Sequence, residues 1–178
     1  MVTLTSLWMP ILLGTAVSFA AGALLHMMVR HHRSDFRALP NEESGLQTLS
    51  SMQLAPGDYF IPHPGSSRTQ GSAPITALMT VMRPGGMKLG SALIQWTAYQ
   101  LLVTFLCAYV ASRTLPFAAP YLNVFRVVGT VGFMAYSIAY MHESIWWQRS
   151  WTITIKYMID GLIYALLTAG VFGWLWPR

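Results

Sequence analysis

The carboxyl-terminal stretch KYMIDGLIYALLTAGVFGWLW, residues 156–176, decides the fold of this chain. From Tyr157 to Trp176 it is apolar almost throughout and holds one acid, Asp160. A helix of about twenty residues is roughly 30 Å long, which matches the hydrocarbon core of a bilayer. Small residues recur at every fourth position, on one helix face: Gly161, Ala165, Ala169 and Gly173. The pattern predicts a membrane-spanning helix whose small-residue face packs closely against other helices.

The composition of the whole chain also favours a membrane protein. Of its 178 residues, 54% are hydrophobic and 10% are charged, whereas soluble domains carry about 25% charged residues. In the first apolar segment the basic residues follow the apolar run, the reverse of the order in a cleaved signal peptide, so we predict a retained span. The four predicted spans lie within residues 1–29, 89–111, 121–141 and 157–176. The stretch from His142 to Lys156 is predicted as a short loop, whose Trp146, Trp147 and Trp151 suit the aromatic belt at the membrane interface.

Residues 30–88 form the long polar segment and hold six of the ten prolines. Asn41 followed by Glu42 and Glu43 predicts a short helix with an N-cap. The stretches APGDYFIPHPG (55–65) and ALMTVM (77–82) predict two short strands that pair as a hairpin. The predicted fold is therefore an all-α membrane protein of four transmembrane helices, with a Pro/Gly-rich loop that carries a short β-hairpin. The domain boundaries fall at 1–29, 30–88 and 89–178.

The distribution of basic residues predicts the orientation. Eight Lys and Arg residues lie on the side of the long loop and two lie on the opposite side, with Arg126 set aside because it falls within a span. By the positive-inside rule, the long loop is cytoplasmic and both termini are outside. The same rule accounts for the net charge of +5 without a nucleic-acid partner. The loop-side residues are Arg30, Arg33, Arg37, Arg68, Arg83, Lys88, Arg149 and Lys156, and those opposite are Arg113 and Arg178.

Arg126 and Asp160 are the charged residues inside predicted spans, where an ionisable group is a functional hypothesis by default. They lie near opposite ends of their spans and differ in depth by roughly 15 Å at about 1.5 Å per residue. We therefore expect no salt bridge between them. Arg126 is expected to extend outward to the interface, and Asp160 to meet Lys156, His142 or a polar loop group at the inner surface. A proton or ion path that uses both is the alternative.

His26 continues a stripe of small residues on one face of the first span, formed by Gly14, Ser18 and Gly22. A small residue one turn before a histidine leaves room for a flat macrocycle on the imidazole, as axial ligation of haem or a chlorophyll requires. His142 is expected at a similar depth, so a site with two histidines is one interpretation. The other is a tight helix contact that ends in an interfacial histidine.

No catalytic or metal-binding motif is evident, and we predict neither an enzyme nor a metal site. His31, His32, Asp35 and His63 include ligand types, but adjacent histidines are expected to point apart and no HxxxH or HExxH spacing occurs. The single cysteine, Cys107, lies within an apolar run, which excludes a disulfide framework. A solvated cluster beside the membrane, able to touch anionic lipid through Arg30, Arg33 and Arg37, is the expectation.

Four segments together resemble a family of small, uncharacterised bacterial inner-membrane proteins: HHRSDFRALPNEE (31–43), APGDYFIPHPG (55–65), VMRPGGMKLGSALIQW (81–96) and SIWWQRSWTITIKYMIDGLIYALLTAGVFGWLWPR (144–178). The resemblance covers most of the chain and departs from the family pattern at Met87–Gly90. It implies four spans and a location in the bacterial inner membrane. It implies no activity and no catalytic residues.

Three functions are compatible with the sequence. The first is a non-catalytic accessory subunit that packs within a larger membrane complex of respiratory or photosynthetic type; its partners are other integral membrane subunits and lipids. Its support is the small-residue faces of the first and fourth spans. The second is a subunit that bears a haem- or bacteriochlorophyll-type cofactor on His26 and His142. The third is a small transporter or membrane enzyme centred on Asp160, Arg126 and the loop histidines.

Overall fold

A computed structural model describes residues 2–65 and 75–178, except for the side chain of Arg30. Arg68, one of the basic residues counted for the orientation, therefore lies outside the described residues. The helices are α1 (Trp8–Met27), α2 (Glu42–Ser51), α3 (Leu89–Thr114), α4 (Tyr121–Phe133), α5 (Tyr140–Trp147) and α6 (Trp151–Trp174), and the strands are β1 (Gly57–Ile61) and β2 (Ala77–Val81).

Four helical segments are long and apolar enough to cross a membrane, as in a multi-pass membrane protein. The first begins with a 3-10 turn at Leu4–Leu7 that leads into α1, the second is α3, and the fourth is α6. The third runs from Tyr121 to Trp147 and consists of α4, a π-helical turn at Met134–Ile138, and α5. The predicted mostly helical fold with four such helices is thus confirmed, and so is a small antiparallel sheet.

The connection between the third and fourth helical segments is shorter than predicted. The stretch from His142 to Lys156 was predicted as a loop, but α5 continues to Trp147 and α6 begins at Trp151. Gln148 ends α5 in a left-handed conformation with φ 53°. The error arose because three tryptophans were interpreted as an interfacial loop, whereas aromatic residues at the membrane interface also lie in the end turns of helices.

The small-residue face of α6 packs against the third helical segment. A Cβ atom at Gly173 would lie 2.7 Å from the Tyr121 ring, and the Ala169 and Ala165 side chains lie against Gly129 and Gly132. These contacts run in opposite directions along the two helices, so α4 and α6 are antiparallel. Close approach of backbones through small residues is the usual way in which membrane helices pack.

The stripe on α1 packs against α6 and α3. A Cβ atom at Gly14 would lie 3.4 Å from Thr104 and 3.5 Å from Phe172, and one at Gly22 would lie 3.3 Å from Trp96 and from the Tyr164 hydroxyl. Both predicted small-residue faces are therefore used inside the chain. The end of the bundle where α1 ends and α6 begins is called the loop end below.

Hydroxyl pairs join the helices within this bundle. The Ser18 and Thr168 hydroxyls lie 2.9 Å apart between α1 and α6, and those of Thr15 and Thr104 lie 2.7 Å apart between α1 and α3. The Thr15 hydroxyl also lies 2.8 Å from the Ile11 carbonyl oxygen of its own helix, and that of Thr104 lies 3.0 Å from the Gln100 carbonyl oxygen. Buried hydroxyls that find partners across helices avoid the cost of an unpaired polar group.

We expect the Ser18–Thr168 pair to contribute a small, measurable coupling. In a double-mutant cycle with Ser18→Ala and Thr168→Val, the interaction free energy should be about 0.6 kcal/mol, the average for hydrogen bonds between membrane helices. Reversible unfolding in mixed micelles measures it. The matched cycle of Ser18→Ala with Thr130→Val, which alters an exposed residue of α4, should give no coupling. Equal values in the two cycles would show that the contact is energetically silent.

Residues 36–92 form a second compact unit. The Asn41 side chain accepts a hydrogen bond from Ser44 N–H at 3.1 Å, which confirms the predicted N-cap of α2. β1 and β2 pair antiparallel with Asp58 opposite Thr80, whose hydroxyl donates to the Asp58 carboxylate at 2.6 Å. In the described part of this unit no side chain is buried. The segment thus has secondary structure without a core of its own.

Candidate functional site

Three segments bring ionisable side chains together at the loop end of the bundle. α1 contributes His26 in its last turn, the 3-10 turn Arg30–Ser34 contributes His31 and His32, and the first turns of α6 contribute Lys156 and Asp160. α1 ends at Met27, and the 3-10 turn directly after it brings both of its histidines to α6. Residues more than 120 positions apart in sequence therefore meet in one cluster.

Asp160 is the centre of this cluster. It is 2% exposed, and each of its carboxylate oxygens faces an imidazole nitrogen. His31 Nε2 lies 3.1 Å from Asp160 Oδ1 and His32 Nε2 lies 2.6 Å from Oδ2. A buried carboxylate is costly unless it is paired and hydrogen-bonded. The two histidines satisfy that requirement and hold the 3-10 turn against α6.

A second carboxylate, that of Asp35, contacts both His32 and Lys156. Asp35 is buried and lies 2.6 Å from His32 Nδ1 through Oδ2 and 2.7 Å from Lys156 Nζ through Oδ1. Lys156 also donates to the His31 carbonyl oxygen and, at 2.9 Å, to the Ser34 hydroxyl. His32 is thus held between two carboxylates, one on each ring nitrogen.

The pKa values of the two groups outside the spans shift in opposite directions. Burial of His32 opposes its protonation, but the hydrogen bonds to Asp35 and Asp160 outweigh burial and raise the pKa of His32 above its usual value. Burial alone would raise the pKa of Asp35, yet the hydrogen bonds from Lys156 and His32 outweigh it and lower the pKa. The electrostatics therefore favour a charged Asp35 and, without a metal ion, a protonated His32.

An aromatic pocket lies directly beside the cluster. It has a volume of about 80 Å³ and is lined by His26, Asp160 and Gly161 together with six aromatic side chains: Trp96, Tyr99, Tyr136, Tyr140, Tyr157 and Tyr164. The Tyr136 and Tyr164 hydroxyls are buried and have no hydrogen-bond partner among the described residues. The rings of Tyr136 and Tyr164 meet edge to face at 5.7 Å. Asp160 therefore has histidines on one side and aromatic rings on the other.

The chain matches no family model, no curated protein and no solved structure. The resemblance to small bacterial inner-membrane proteins therefore stays a prediction.

The structure places Arg126 away from Asp160. Arg126 is exposed on α4, ten positions before Tyr136, whose backbone lies against Gly161. Ten residues of helix correspond to about 15 Å, in line with the expected difference in depth. The groups that Asp160 meets are loop groups, His31 and His32, and not Lys156 or His142. Lys156 instead pairs with Asp35.

The two histidines proposed for a macrocycle have different neighbours. The His26 ring stacks on His32 with centroids 4.7 Å apart, whereas the His142 ring packs against Trp146 at 6.2 Å. The space above Gly22 that would admit a macrocycle holds the Trp96 indole. The two cavities that His26 lines, of about 80 and 220 Å³, are both smaller than a cofactor site, which usually measures about 300 Å³ or more.

One expectation about the loop histidines was wrong. His31 and His32 were expected to point apart, but their ring centroids lie 4.0 Å apart and both rings face Asp160. Neighbouring side chains diverge by about 120° in a 3-10 turn, less than the roughly 180° of an extended strand, so both rings can reach Asp160. No metal site was predicted from the sequence; His26, His32 and Asp160 offer ligand atoms that all lie within 4.8 Å of one another. His63 belongs to the unit 36–92, where it accepts a hydrogen bond from Gly65 N–H at 3.1 Å.

Proposed function

We propose that this chain is a non-catalytic accessory subunit of a larger bacterial membrane complex, of respiratory or photosynthetic type. In this proposal the unit 36–92, on the cytoplasmic side, binds neighbouring subunits. The small-residue faces of α1 and α6 pack within the chain, so they no longer support the proposal. Its support comes from the polar segment.

The observation that carries the proposal is the apolar surface of the unit 36–92. Ten large apolar side chains are exposed in the described part of this unit that precedes α3, and Phe36 is exposed to 80%. An extramembrane segment that exposes this much apolar surface and buries no side chain lacks the usual source of stability. A protein partner that covers these side chains would supply it. The ten exposed apolar side chains are Phe36, Leu39, Leu46, Leu49, Met52, Ile61, Ile75, Leu78, Met82 and Met87.

The experiment is co-purification from the organism that makes the protein. The full chain, tagged and extracted in a mild detergent, should retain stoichiometric membrane subunits. The triple variant Phe36→Ser, Ile75→Ser, Met82→Ser should lose them by at least tenfold, because burial of each large apolar side chain contributes about 1.5–3 kcal/mol. A control variant replaces exposed apolar residues of the bundle, Leu12→Ala, Leu102→Ala and Leu166→Ala, and should retain the companions.

The alternative is that the surface of the bilayer, and not a protein partner, covers the same apolar side chains. The full chain reconstituted alone into vesicles should therefore be cleaved readily by trypsin at Arg37 and Lys88, both of which are exposed. Protection in vesicles without any companion, or equal companion recovery by the triple variant and its control, would contradict the proposal.

A further inference from the structure

The cluster at the loop end contains one more imidazole than is needed to hold the 3-10 turn against α6. His31 and His32 satisfy the two oxygens of Asp160, and Lys156 and His32 satisfy those of Asp35. His26 makes no hydrogen bond in the described part of the chain; its contact with the cluster is the stack on His32. Its ring nitrogen nonetheless lies within 4.8 Å of the His32 and Asp160 ligand atoms.

The hydrogen bonds fix which nitrogen of His32 is available. Asp35 Oδ2 is an acceptor 2.6 Å from His32 Nδ1, so Nδ1 carries a proton. Nε2 then faces Asp160 Oδ2 at 2.6 Å. A neutral Nε2 and a carboxylate oxygen are both acceptors, and both are ligand atoms for a metal ion. A bound ion would separate them from 2.6 Å to about 3.3 Å.

The surrounding groups match those around bound metal ions in proteins. A ligating histidine usually donates its other N–H to a carboxylate, which fixes its orientation, and Asp35 accepts such a bond from His32. Lys156 holds Asp35 in turn at 2.7 Å. His31 binds Asp160 Oδ1 at 3.1 Å, which leaves Oδ2 as the ligand atom. Each metal ligand but His26 is thus oriented by a further residue.

A second cavity adjoins the two imidazoles. It has a volume of about 220 Å³ and is lined by His26, Met27, Val29, His32 and Arg33. An ion can reach both imidazoles from this cavity, and water can fill the coordination positions that the protein leaves vacant. In a tetrahedral site with bonds of about 2.0–2.1 Å, ligand atoms lie about 3.3 Å apart, so ligands now within 4.8 Å need to move by little more than an ångström.

We propose that His26, His32 and Asp160 bind a divalent first-row transition-metal ion, with Asp35 as the residue that orients His32. Two imidazoles and one carboxylate suit Zn²⁺ or Fe²⁺ better than Mg²⁺ or Ca²⁺, which prefer oxygen ligands alone. This site shares no residue with the unit 36–92, and its existence does not depend on a partner subunit.

The test uses the full chain in nanodiscs, with its affinity tag removed and its metal stripped by EDTA. Co²⁺ is the probe, because its visible absorption reports ligand number and geometry, and Zn²⁺ titration gives the affinity. We expect one Co²⁺ per chain, displaced by Zn²⁺. His26→Ala should weaken binding by more than about 100-fold, and Asp35→Asn by about 10- to 100-fold, as for other residues that orient a ligand. His142→Ala is the matched control and should bind as the wild type does.

His26→Ala is the decisive variant because His26 makes none of the hydrogen bonds that hold the 3-10 turn against α6. Its metal-free form should unfold at the same denaturant concentration as the wild type, so a loss of binding is a loss of a ligand and not of the fold. Failure of the wild type to bind Co²⁺ or Zn²⁺ would overturn the proposal. Equal affinity of the wild type and His26→Ala would overturn it as well. Unchanged affinity in Asp35→Asn would overturn the orienting role of Asp35.

Discussion

Replacing Gly161 by alanine is expected to destabilise the bundle by about 3 kcal/mol, at the upper end of the usual cost of overpacking. The added Cβ atom would lie 2.8 Å from Tyr136 O and closer still to the Ser137 hydroxyl. The obstacle is mainly backbone, in the π-helical turn of the third helical segment, and it cannot rotate away as a flexible side chain can. Reversible unfolding of the full chain in mixed micelles measures the loss.

Gly170→Ala is the matched control on the same helix. Its Cβ atom would meet no described atom nearer than the Tyr121 hydroxyl, at 3.8 Å. Because alanine is the better helix former by about 1 kcal/mol, this variant should be neutral or slightly stabilising. Equal stabilities of the two variants would mean that α6 and the π-helical turn are not in the close contact described.

The second large effect is expected from Asp160→Ala in the metal-free protein. Two imidazoles would lose their acceptor, and removal of one partner from a buried charged pair costs about 3–5 kcal/mol. The 3-10 turn Arg30–Ser34 should then detach from α6. Trypsin should cleave after Arg33 at least about tenfold faster, because cleavage of a transiently opened segment follows the population of the open form. Cleavage after Arg113, at the opposite end of the bundle, should stay unchanged.

Glu143→Gln is the control for loss of a carboxylate at the same end of the bundle. The Glu143 side chain forms no hydrogen bond or ion pair with any residue that the structure describes, so its neutralisation should change neither stability nor cleavage after Arg33. Cleavage rates that rise equally in both variants would point to a general effect of charge. The specific role of the Asp160–histidine contacts would then be wrong.

Local features of the fold were predicted well from sequence. The four apolar segments, the capped helix that begins after Asn41 and the two short strands each follow from residues adjacent in the chain. Hydrophobic length, capping preference and strand alternation are properties of a few neighbouring residues, so they can be identified without a partner. The ends of the helices near Trp147 and Trp151 were missed, because aromatic residues at an interface suit a helix end and a loop equally well.

The sequence identified some residues of the candidate site and missed others. Asp160 stood out because an acid within an apolar run is costly there, and His26 stood out through its stripe of small residues. The partners were missed: His31, His32 and Asp35 were interpreted as a solvated cluster. The available signal was the pairing of a buried acid with a histidine-rich segment that lies at the same end of another span.

The sequence by itself determined that the chain has four apolar helices with small-residue faces and one acid that needs a partner. The tertiary structure decided which groups meet that need. The 3-10 turn after α1 brings His31 and His32 to Asp160, 129 and 128 positions away, and Lys156 to Asp35. A periodic pattern describes one helix face at a time, whereas a contact between ionisable groups depends on where the chain reverses and how closely the helices approach.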